Sequence, residues 1–375
     1  MSIETIKYPV YNDIKTFQKK ITLKKEFNLK QKNEKTCSSA DVFELESHQE
    51  FVKRFISHKT PYNGLLLFHG LGSGKTCSSI GIAEENRKFN EHNPKYKKTI
   101  IVASPNVIEN FKLQLFNKNK LKNKNGVWTL EGCIGNSLLN DIDTYKMSKE
   151  EIILSIKQYI KKNYIFMGYL ELANIIDKLT KFNNEVIKEK LKKEFENCML
   201  IVDEAHNIRK NDTDDKKKIY DMFKKLFKNG PVMKVIFLTG TPIYNDHSEV
   251  VTLLNLLHMN DNREPIKYDA IFKKDGTLKD INNLKILLNG YVSYVRGENP
   301  YTFPHLIYPS EFENESSIKN IKQPELKYNG DKLLNNIQHL DIYISKLDNI
   351  QQEFYYDYIK KNNKYKESKE LNYTL

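Results

Sequence analysis

The chain has few cysteines and no long apolar run. Its 375 residues include only four cysteines, which are far apart along the chain: Cys37, Cys77, Cys133 and Cys198. Their spacing fits neither a disulfide framework nor a zinc site, so we expect reduced thiols in a cytosol-like compartment. The sequence shows no signal-peptide pattern and no apolar segment long enough to span a bilayer, so we expect no membrane partner.

The composition is that of a globular protein with a basic excess. Hydrophobic residues make up 39% of the chain and charged residues 29%, and the length leaves room for two or three domains. The net charge is +12 and the isoelectric point is near 9.1. This balance suits a polyanionic partner, although a genome biased toward lysine and asparagine codons produces the same excess without one.

The strongest local signal lies between Gly64 and Thr76. A short apolar run at 65–68 ends at a glycine-rich turn, which Lys75 and Thr76 follow. The pattern predicts a buried strand, a loop and a helix that begins near Lys75. Glycines let backbone N–H groups converge on an anion, and the helix N-terminus adds unpaired donors and the positive end of its dipole. The stretch therefore predicts a phosphate-binding loop for a nucleotide.

Each position of this loop has an expected task. Lys75 would reach the β- and γ-phosphates of ATP, and the Thr76 hydroxyl would hold Mg²⁺. The usual pattern has glycine six residues before the lysine, where this chain has His69, but the contacts of such loops come mostly from backbone. A glycine-rich hairpin with a chance lysine is the alternative. The predicted cofactor-binding residues of the loop are His69, Gly70, Leu71, Gly72, Ser73, Gly74, Lys75 and Thr76.

A second signal follows the apolar run Met199–Val202, which ends in Asp203 and Glu204. In parallel α/β sheets ligands bind at the carboxyl ends of strands, so these carboxylates would lie beside the loop. We predict that Asp203, with Thr76, holds Mg²⁺ and that Glu204 orients and deprotonates the attacking water. The predicted catalytic residues are therefore Lys75, Asp203 and Glu204; a helix-capping acidic pair is the alternative reading.

A third signal follows the apolar run at 235–238. Two threonines on a tight turn, Thr239 and Thr241, flank Gly240 and would lie at the same sheet edge. Their hydroxyls can form hydrogen bonds toward the segment that contains His206, or contact a bound strand of nucleic acid. We predict a role in coupling the two ligands for His206, Thr239, Gly240 and Thr241.

Two further apolar runs, at 99–103 and 164–167, complete the pattern. Together with the runs at 65–68, 199–202 and 235–238 they alternate with helical segments, for example at 176–195. Alternation of strand and helix indicates βαβ units and a parallel sheet. The fold class is therefore predicted to be α/β.

Three stretches are candidates for contact with nucleic acid. Ser104, Pro105 and Asn106 precede a helix at the working edge of the sheet and could grip a phosphodiester backbone, although a simple capped helix is equally compatible. Residues 112–126 contain five lysines and no acid, which predicts an exposed loop. Residues 1–40, with nine lysines and four acids, predict a solvated basic arm. The predicted lysine contacts are Lys118, Lys120, Lys122 and Lys124.

Gln49 lies on a predicted helix and precedes the phosphate loop by one helix and a turn. Its amide offers both a donor and an acceptor, which suits the edge of adenine. A surface glutamine is the alternative, because a single residue is weak evidence. We predict a cofactor-binding role for Gln49 beside the loop residues.

The motifs together resemble a known family. Gln49, HGLGSGKT, the SPN at Ser104, the GY at Gly168, DEAH and TGTP stand in the order of the first motor lobe of superfamily 2 helicases. TGTP resembles the Swi/Snf-type branch. KKEF at 24–27, LLLFHGLGSGKT and YVSYVRGENPYTFP at 291–304 resemble the helicase-like ATPases of large cytoplasmic DNA viruses. That group includes the small subunit of the poxvirus early transcription factor and nucleoside triphosphate phosphohydrolase I.

The resemblance implies a RecA-like parallel sheet with helices on both faces, and ATP hydrolysis with Mg²⁺. It implies DNA or RNA as the partner, with a viral RNA polymerase or transcription complex as a further one, in the virion and the host cytoplasm. Such motors complete the ATP site with arginines of a second lobe, and no QxxGRxxR-like segment stands in this sequence. We therefore expect the N-terminal part of a longer motor, or a divergent one.

The expected organisation has four parts. Residues 1–40 form the basic arm, 41–255 the ATP-binding lobe, 256–340 a mixed accessory segment and 341–375 a lead-in to a second motor lobe. An ATP-switched DNA-binding subunit without unwinding activity is the alternative function, because it would use the same motifs. A basic structural protein with a degenerate site is a third, which the intact GKT and DEAH disfavour.

Overall fold

The computed structural model describes residues 8–28, 45–70, 72–90, 98–142, 144–209, 213–243, 247–273, 275–296, 332 and 348–367. Its strands are β1 (Gly64–His69), β2 (Thr99–Val102), β3 (Leu121–Lys124), β4 (Val127–Leu130), β5 (Tyr164–Met167), β6 (Met199–Val202), β7 (Lys234–Thr239) and β8 (Val292–Val295). Its helices are α1 (Phe17–Thr22), α2 (Ser47–Phe55), α3 (Lys75–Asn90), α4 (Pro105–Leu115), α5 (Ser137–Asn140), α6 (Lys149–Asn163), α7 (Tyr169–Leu179), α8 (Asn184–Phe195), α9 (Asp214–Asn229), α10 (Ser248–Asn260), α11 (Ile281–Leu288) and α12 (Asn349–Glu367).

A parallel sheet in the order β5-β2-β6-β7-β1-β8 forms the centre of the fold. The five predicted apolar runs are its strands β1, β2, β5, β6 and β7. Strand β6 is buried along its whole length, as is β7, as expected for a parallel sheet that is covered on both faces. The predicted α/β, RecA-like class is confirmed. Because all strands run the same way, the phosphate loop after β1 shares one edge with the segments that follow β6 and β7.

Two apolar cores cover the two faces of this sheet. One core packs α2 and α3 against alternate residues of the strands, among them Leu65 and Leu67 of β1. The other packs α7, α8, α9 and α10 against the opposite face, where Leu66 lies. The helix predicted over 176–195 is in fact two helices, α7 and α8, because the chain turns between Leu179 and Asn184.

The sixth strand, β8, lies within the segment predicted to be accessory. It pairs in parallel with β1, with His69 opposite Val295. The first compact unit of the chain accordingly extends to Glu298, so residues 256–296 belong to the ATP-binding lobe rather than to a separate segment. Strand β8 lies at the edge of the sheet, so it is only partly buried and exposes Tyr294. Its sequence is therefore not the continuous apolar run by which the central strands were predicted. The remainder of the predicted accessory segment, apart from residue 332, lies outside the described residues.

The described part of the predicted basic arm, residues 8–28, packs onto the lobe. Phe17, Ile21 and Phe27 are buried in the same core as α2. The Tyr62 hydroxyl donates a hydrogen bond of 2.9 Å to the carbonyl of Pro9. The prediction of a solvated arm is therefore wrong for these residues, because apolar residues spaced between the lysines give the segment a buried face.

The lysine-rich stretch predicted as a loop is a β-hairpin. Strands β3 and β4 pair antiparallel, with Leu121 opposite Leu130. These leucines share a small third core with Leu138, Ile152 and Ile156 from α5 and α6. Residues 116–163 therefore form an insertion with its own apolar centre, which we call the insertion below.

Two of the cysteines do not match the expectation of reduced thiols. Cys77, in the first turn of α3, forms a disulfide with Cys133, which follows β4 in the insertion; their Cα atoms are 5.0 Å apart. Cys198 is free and buried, and Cys37 lies outside the described residues. A separation of 56 residues gives no sequence signal for such a pair, because only the packing of the insertion on α3 brings them together.

The second compact unit runs from Asn299 to Leu375, and its described part is essentially helix α12. This helix exposes aromatic residues, among them Phe354 and Tyr356. Across the parts of the chain that are described, no helix has the length and apolarity needed to span a bilayer. The predicted lead-in to a second lobe stays a prediction.

Candidate active site

The loop after β1 has the backbone that phosphate binding requires. Gly72 and Gly74 have φ angles of 75° and 74°, in the left-handed region that favours glycine. Helix α3 begins at Lys75 directly after the second of these glycines. The Lys75 ammonium donates hydrogen bonds to the carbonyls of His69 (2.9 Å) and Gly70 (3.3 Å). The Lys75 ammonium thus lies inside the phosphate loop, at the position where it would contact phosphate oxygens.

Helix α2 supports the loop from outside. The buried Gln49 amide donates to the carbonyls of Ser73 and Gly74, both at 3.3 Å, and its oxygen accepts from the Glu46 backbone N–H at 3.0 Å. A Cβ atom at Gly74 would collide with this amide. To pair with adenine, the Gln49 amide would have to give up these hydrogen bonds, so the adenine role remains a prediction. In this structure Gln49 holds the loop.

His69, which replaces the usual glycine, is fully buried at the end of β1. Its Nε2 lies 2.9 Å from the Ser293 hydroxyl on β8, and its ring packs edge-on against His48. Burial, with the nearby His48 and Lys75, lowers the pKa of His69 to about 4, so the imidazole is neutral at pH 7. It fills space and connects the loop to β8 without adding positive charge.

Asp203 follows β6 and is buried with only 6% of its surface exposed. One carboxylate oxygen accepts a hydrogen bond from the Glu204 backbone N–H at 2.9 Å. Burial, and then the charge of Glu204, raises the pKa of Asp203 to about 6, while Lys75 opposes this shift. A buried carboxylate that is disfavoured as an anion is suited to a dication, because the metal charge offsets the desolvation.

Glu204 has a left-handed backbone, with φ and ψ both at 51°. This conformation is uncommon for a residue with a side chain and is found preferentially at functional sites. Its carboxylate lies 3.2 Å from His206 Nδ1, and 45% of the side chain is exposed. The hydrogen bond from His206 lowers the pKa of Glu204 below its ordinary value, despite partial burial. The side chain is therefore an ionised, accessible base at neutral pH.

Tyr169 holds this strained turn, a role for which we made no prediction. Its hydroxyl donates to the carbonyls of Asp203 and, at 3.0 Å, Glu204. The Asn207 amide donates to the same Glu204 carbonyl at 3.1 Å. The GY pair after β5 was part of the family pattern, but only the adjacency of β5 to β2 and of β2 to β6 brings this tyrosine to the DEAH turn.

The turn after β7 closes the site. Thr239 Oγ1 lies 3.1 Å from His206 Nδ1 and accepts from the Thr241 backbone N–H at 3.0 Å. A Cβ atom at Gly240 would lie 3.6 Å from Lys75 Nζ, within van der Waals contact, so this turn lies directly beside the lysine. The expected hydrogen bond between the threonine turn and the DEAH segment is thus present. Transmission of a signal through it remains a prediction.

The assembled side chains fit Mg²⁺ and a nucleoside triphosphate. The Asp203 carboxylate and the Thr76 hydroxyl would supply hard oxygen ligands of the kind that Mg²⁺ prefers. Lys75 acts electrostatically on both Asp203 and Glu204, so the cation and the two anions share one small site. Leu71, the remaining predicted loop residue, lies outside the described residues.

The predicted nucleic-acid residues are exposed. Ser104 is the N-cap of α4, and Pro105 and Asn106 form its first turn beyond β2. The four lysines Lys118, Lys120, Lys122 and Lys124 lie on the hairpin side of the insertion. Their role in binding nucleic acid stays a prediction.

Asp203→Asn is expected to stabilise the ligand-free protein while impairing Mg²⁺ binding. Because the folded pKa is raised from 3.8 to about 6, the wild-type anion destabilises the fold at pH 7 by about 2–3 kcal/mol. The variant's advantage should be nearly full above pH 6, shrink as the pH falls from 6 to 4, and disappear below pH 3.8, where the wild-type carboxyl becomes protonated in both states. Denaturant unfolding at several pH values measures it, with exposed Glu189→Gln as the control. An equal or lower stability at pH 7 would contradict the assignment.

Comparison with known proteins defines the class. The family model described as "SNF2-related domain" matches residues 48–296. The chain belongs to this family. The predicted helicase-like ATPase lobe is thereby confirmed, and the matched span includes β8, in agreement with the fold.

The chain is also similar to individual viral proteins. It is 29% identical over 286 residues to a "Putative ATP-dependent RNA helicase" of Acanthamoeba polyphaga mimivirus, covering 73% of this chain and 45% of that protein. It is 28% identical to a "Putative helicase" of Invertebrate iridescent virus 3 (77% and 27%) and 26% identical to a "Termination factor NPH-I homolog" of African swine fever virus (63% and 28%). The chain thus spans less than half the length of each.

Among solved structures, the chain is similar to the Sulfolobus solfataricus SWI2/SNF2 ATPase core in complex with duplex DNA. That match has a TM-score of 0.40 and 17% identity and covers 68% of this chain and 45% of the other.

Proposed function

We propose that the chain is the ATP-binding lobe of a nucleic-acid-dependent ATPase motor. The observation that carries the proposal is the convergence of Lys75, Asp203 and Glu204 at one sheet edge, with the Glu204 backbone in the left-handed region. An ionised glutamate with an exposed carboxylate is what water activation needs, and a binding protein that only senses ATP would not require it. Hydrolysis is therefore favoured over an ATP-switched binding subunit.

The roles of the side chains follow from their positions. Lys75 would leave the carbonyls of His69 and Gly70 and neutralise the β- and γ-phosphates. Asp203 and Thr76 would hold Mg²⁺, whose charge would offset the negative charge of the phosphates. Glu204 would accept a proton from the water that attacks the γ-phosphorus, whose bond to the bridging oxygen breaks to release ADP and phosphate.

Completion of the site by a second motor lobe of the same longer polypeptide is part of the proposal. Arginines from such a lobe would meet the charge that develops on the transferring phosphoryl group, an effect worth roughly 10³ to 10⁵ in rate. The lengths of the relatives, of which this chain spans less than half, support it. We further propose DNA or RNA as the track and a viral transcription complex, in the virion or host cytoplasm, as the setting.

The test is phosphate release by this chain, alone and with single-stranded and duplex nucleic acid. Slow but Mg²⁺-dependent hydrolysis that is lost in Glu204→Gln is the expected result. Turnover of many per second from the isolated chain would overturn the need for a second lobe. Failure to bind ATP at any Mg²⁺ concentration would overturn the proposed function itself.

A further inference from the structure

The outer face of the β3–β4 hairpin carries exposed lysines that do not pack into the small core of the insertion. In the antiparallel register, Leu121 and Leu130 face the small core, so Lys122 and Lys124 point to the other face, opposite Thr129 and Val127. Both lysines are exposed, as are Lys118 and Lys120 in the turn before β3. Leu121 and Leu130, with the partly buried Trp128, anchor the hairpin on the small core, and the lysines take no part in that packing.

The hairpin surface has a strong excess of positive charge. Residues 110–130 contain no acidic residue. Glu131, the first acidic residue after this stretch, pairs with Lys122 at 2.8 Å, and Lys120 and Lys124 also lie close enough to lower its pKa. Three lysines thus surround one carboxylate. We call the row formed by Lys118, Lys120, Lys122 and Lys124 the lysine strip. A polyanion with repeating charges complements this strip better than a single anion does, and the nucleic acid of the proposed function has such a phosphodiester backbone.

The insertion that carries this strip is attached to α3 at two points. Near the start of α3, Cys77 is joined to Cys133 of the insertion, and Gln114 Oε1 of α4 lies 3.2 Å from the Cys133 sulfur. Near the end of α3, Arg87 forms an ion pair of 2.6 Å with Asp141 of the insertion.

The second attachment is a buried network. Arg87 is 5% and Glu84 4% exposed, and their side chains are 3.1 Å apart. The Tyr159 hydroxyl of α6 donates to Glu84 at 3.3 Å, and the Arg87 guanidinium lies over the Tyr159 ring. Buried, mutually hydrogen-bonded charges tolerate little displacement, because separating them leaves an uncompensated charge. The insertion and α3 are therefore expected to move together.

We propose that the insertion is a nucleic-acid-binding element that is mechanically coupled to the phosphate loop through α3. The proposal rests on the proposed function, since it takes nucleic acid as the partner. Helix α3 begins with Lys75 and Thr76, and Cys77 follows them directly. A strand of nucleic acid that displaces the hairpin would act on the first turn of α3, and bound nucleotide would act on the hairpin by the same route.

The binding part is tested by salt dependence. Fluorescence anisotropy of a labelled single strand is measured at several salt concentrations for wild type and for Lys118→Ala/Lys120→Ala/Lys122→Ala/Lys124→Ala. The slope of log affinity against log salt should flatten by about three in the variant, and Glu131→Gln should bind more tightly. The matched control removes four exposed lysines of α7 and α8: Lys178, Lys188, Lys192 and Lys193. Equal slopes for the hairpin variant and wild type would overturn the proposal. This arm needs no ATP, so it can fail or succeed independently of the proposed function.

The coupling part is tested by linkage. The affinity for a fluorescent ATP analogue is measured with and without saturating single-stranded DNA or RNA, and the ratio should be roughly fivefold or more in wild type. The double variant Cys133→Ser/Asp141→Asn removes both attachments by changing only residues of the insertion. In this variant the ratio of the two nucleotide affinities should fall toward one, while the slope of log nucleic-acid affinity against log salt should stay as in wild type. An unchanged ratio would overturn the coupling.

A second form of the test needs no destabilising substitution. A dithiol reductant converts the Cys77–Cys133 disulfide into two thiols and is itself oxidised to a cyclic disulfide. Reductant should lower the affinity ratio in wild type and leave it unchanged in Cys133→Ser, which retains the buried Cys198 as a control for other thiol effects. The same ratio in wild type with and without reductant would count against the disulfide as part of the route.

Discussion

Glu204→Gln is expected to lower the rate of ATP hydrolysis by about 10²- to 10⁴-fold, the range typical of losing a general base. Glutamine keeps the size and the hydrogen-bonding oxygen of the side chain but cannot accept the proton of the attacking water. Nucleotide affinity should stay within about threefold of wild type, because the phosphates are held by Lys75 and the loop backbone.

Single-turnover hydrolysis, with protein in excess over radiolabelled ATP, measures this step even when the rate is low. Glu189→Gln on the exposed side of α8 is the matched control and should hydrolyse ATP at the wild-type rate. If Glu204→Gln retained the wild-type rate as well, the water would be activated elsewhere. The left-handed turn held by Tyr169 and Asn207 would then need another explanation.

Lys75→Ala is expected to weaken binding of Mg-ATP by roughly 100-fold. The ammonium would otherwise form charge-assisted hydrogen bonds to two phosphates, each worth about 1.5–3 kcal/mol, partly offset by the bonds to His69 and Gly70 that it leaves. The neighbouring His69 cannot replace it, because its imidazole is neutral at pH 7, with a pKa of about 4.

Titration with a fluorescent ATP analogue measures this affinity. Lys88→Ala, an exposed lysine near the other end of the same helix, is the control and should bind as wild type does. Melting curves would show that Lys75→Ala is folded. Equal affinities for Lys75→Ala and wild type would remove the phosphate-loop assignment, and with it the reason to place Mg²⁺ between Thr76 and Asp203.

The agreement between sequence and structure was closest for the central strands. Strands β5 and β6 have the predicted bounds, and β1, β2 and β7 differ by one or two residues. Buried parallel strands are recognisable because both faces must be apolar, and the polar residues that follow them mark the working edge. The loop residues from Gly72 to Thr76 and the pair Asp203–Glu204 could be located for the same reason: the chemistry lies within a few residues of a strand end.

Elements that depend on distant partners were missed or misread. Strand β8 is too polar to be recognised without β1 beside it, and the lysine-rich hairpin looks like a loop until Leu121 and Leu130 meet the core of the insertion. The N-terminal segment looks solvated until Phe17 and Phe27 are seen packed on the lobe.

The local sequence was enough to define the phosphate loop, the carboxylates and the parallel sheet, because hydrophobic period, glycine content and strand ends are properties of short segments. The packing of the chain decided that Tyr169 supports Glu204, that Gln49 braces the loop, and that Cys77 and Cys133 join the insertion to α3. Each of these contacts links residues between 24 and 56 positions apart. At such separations no local pattern constrains the distance, and only the order of the strands and the burial of the helices between them bring the groups together.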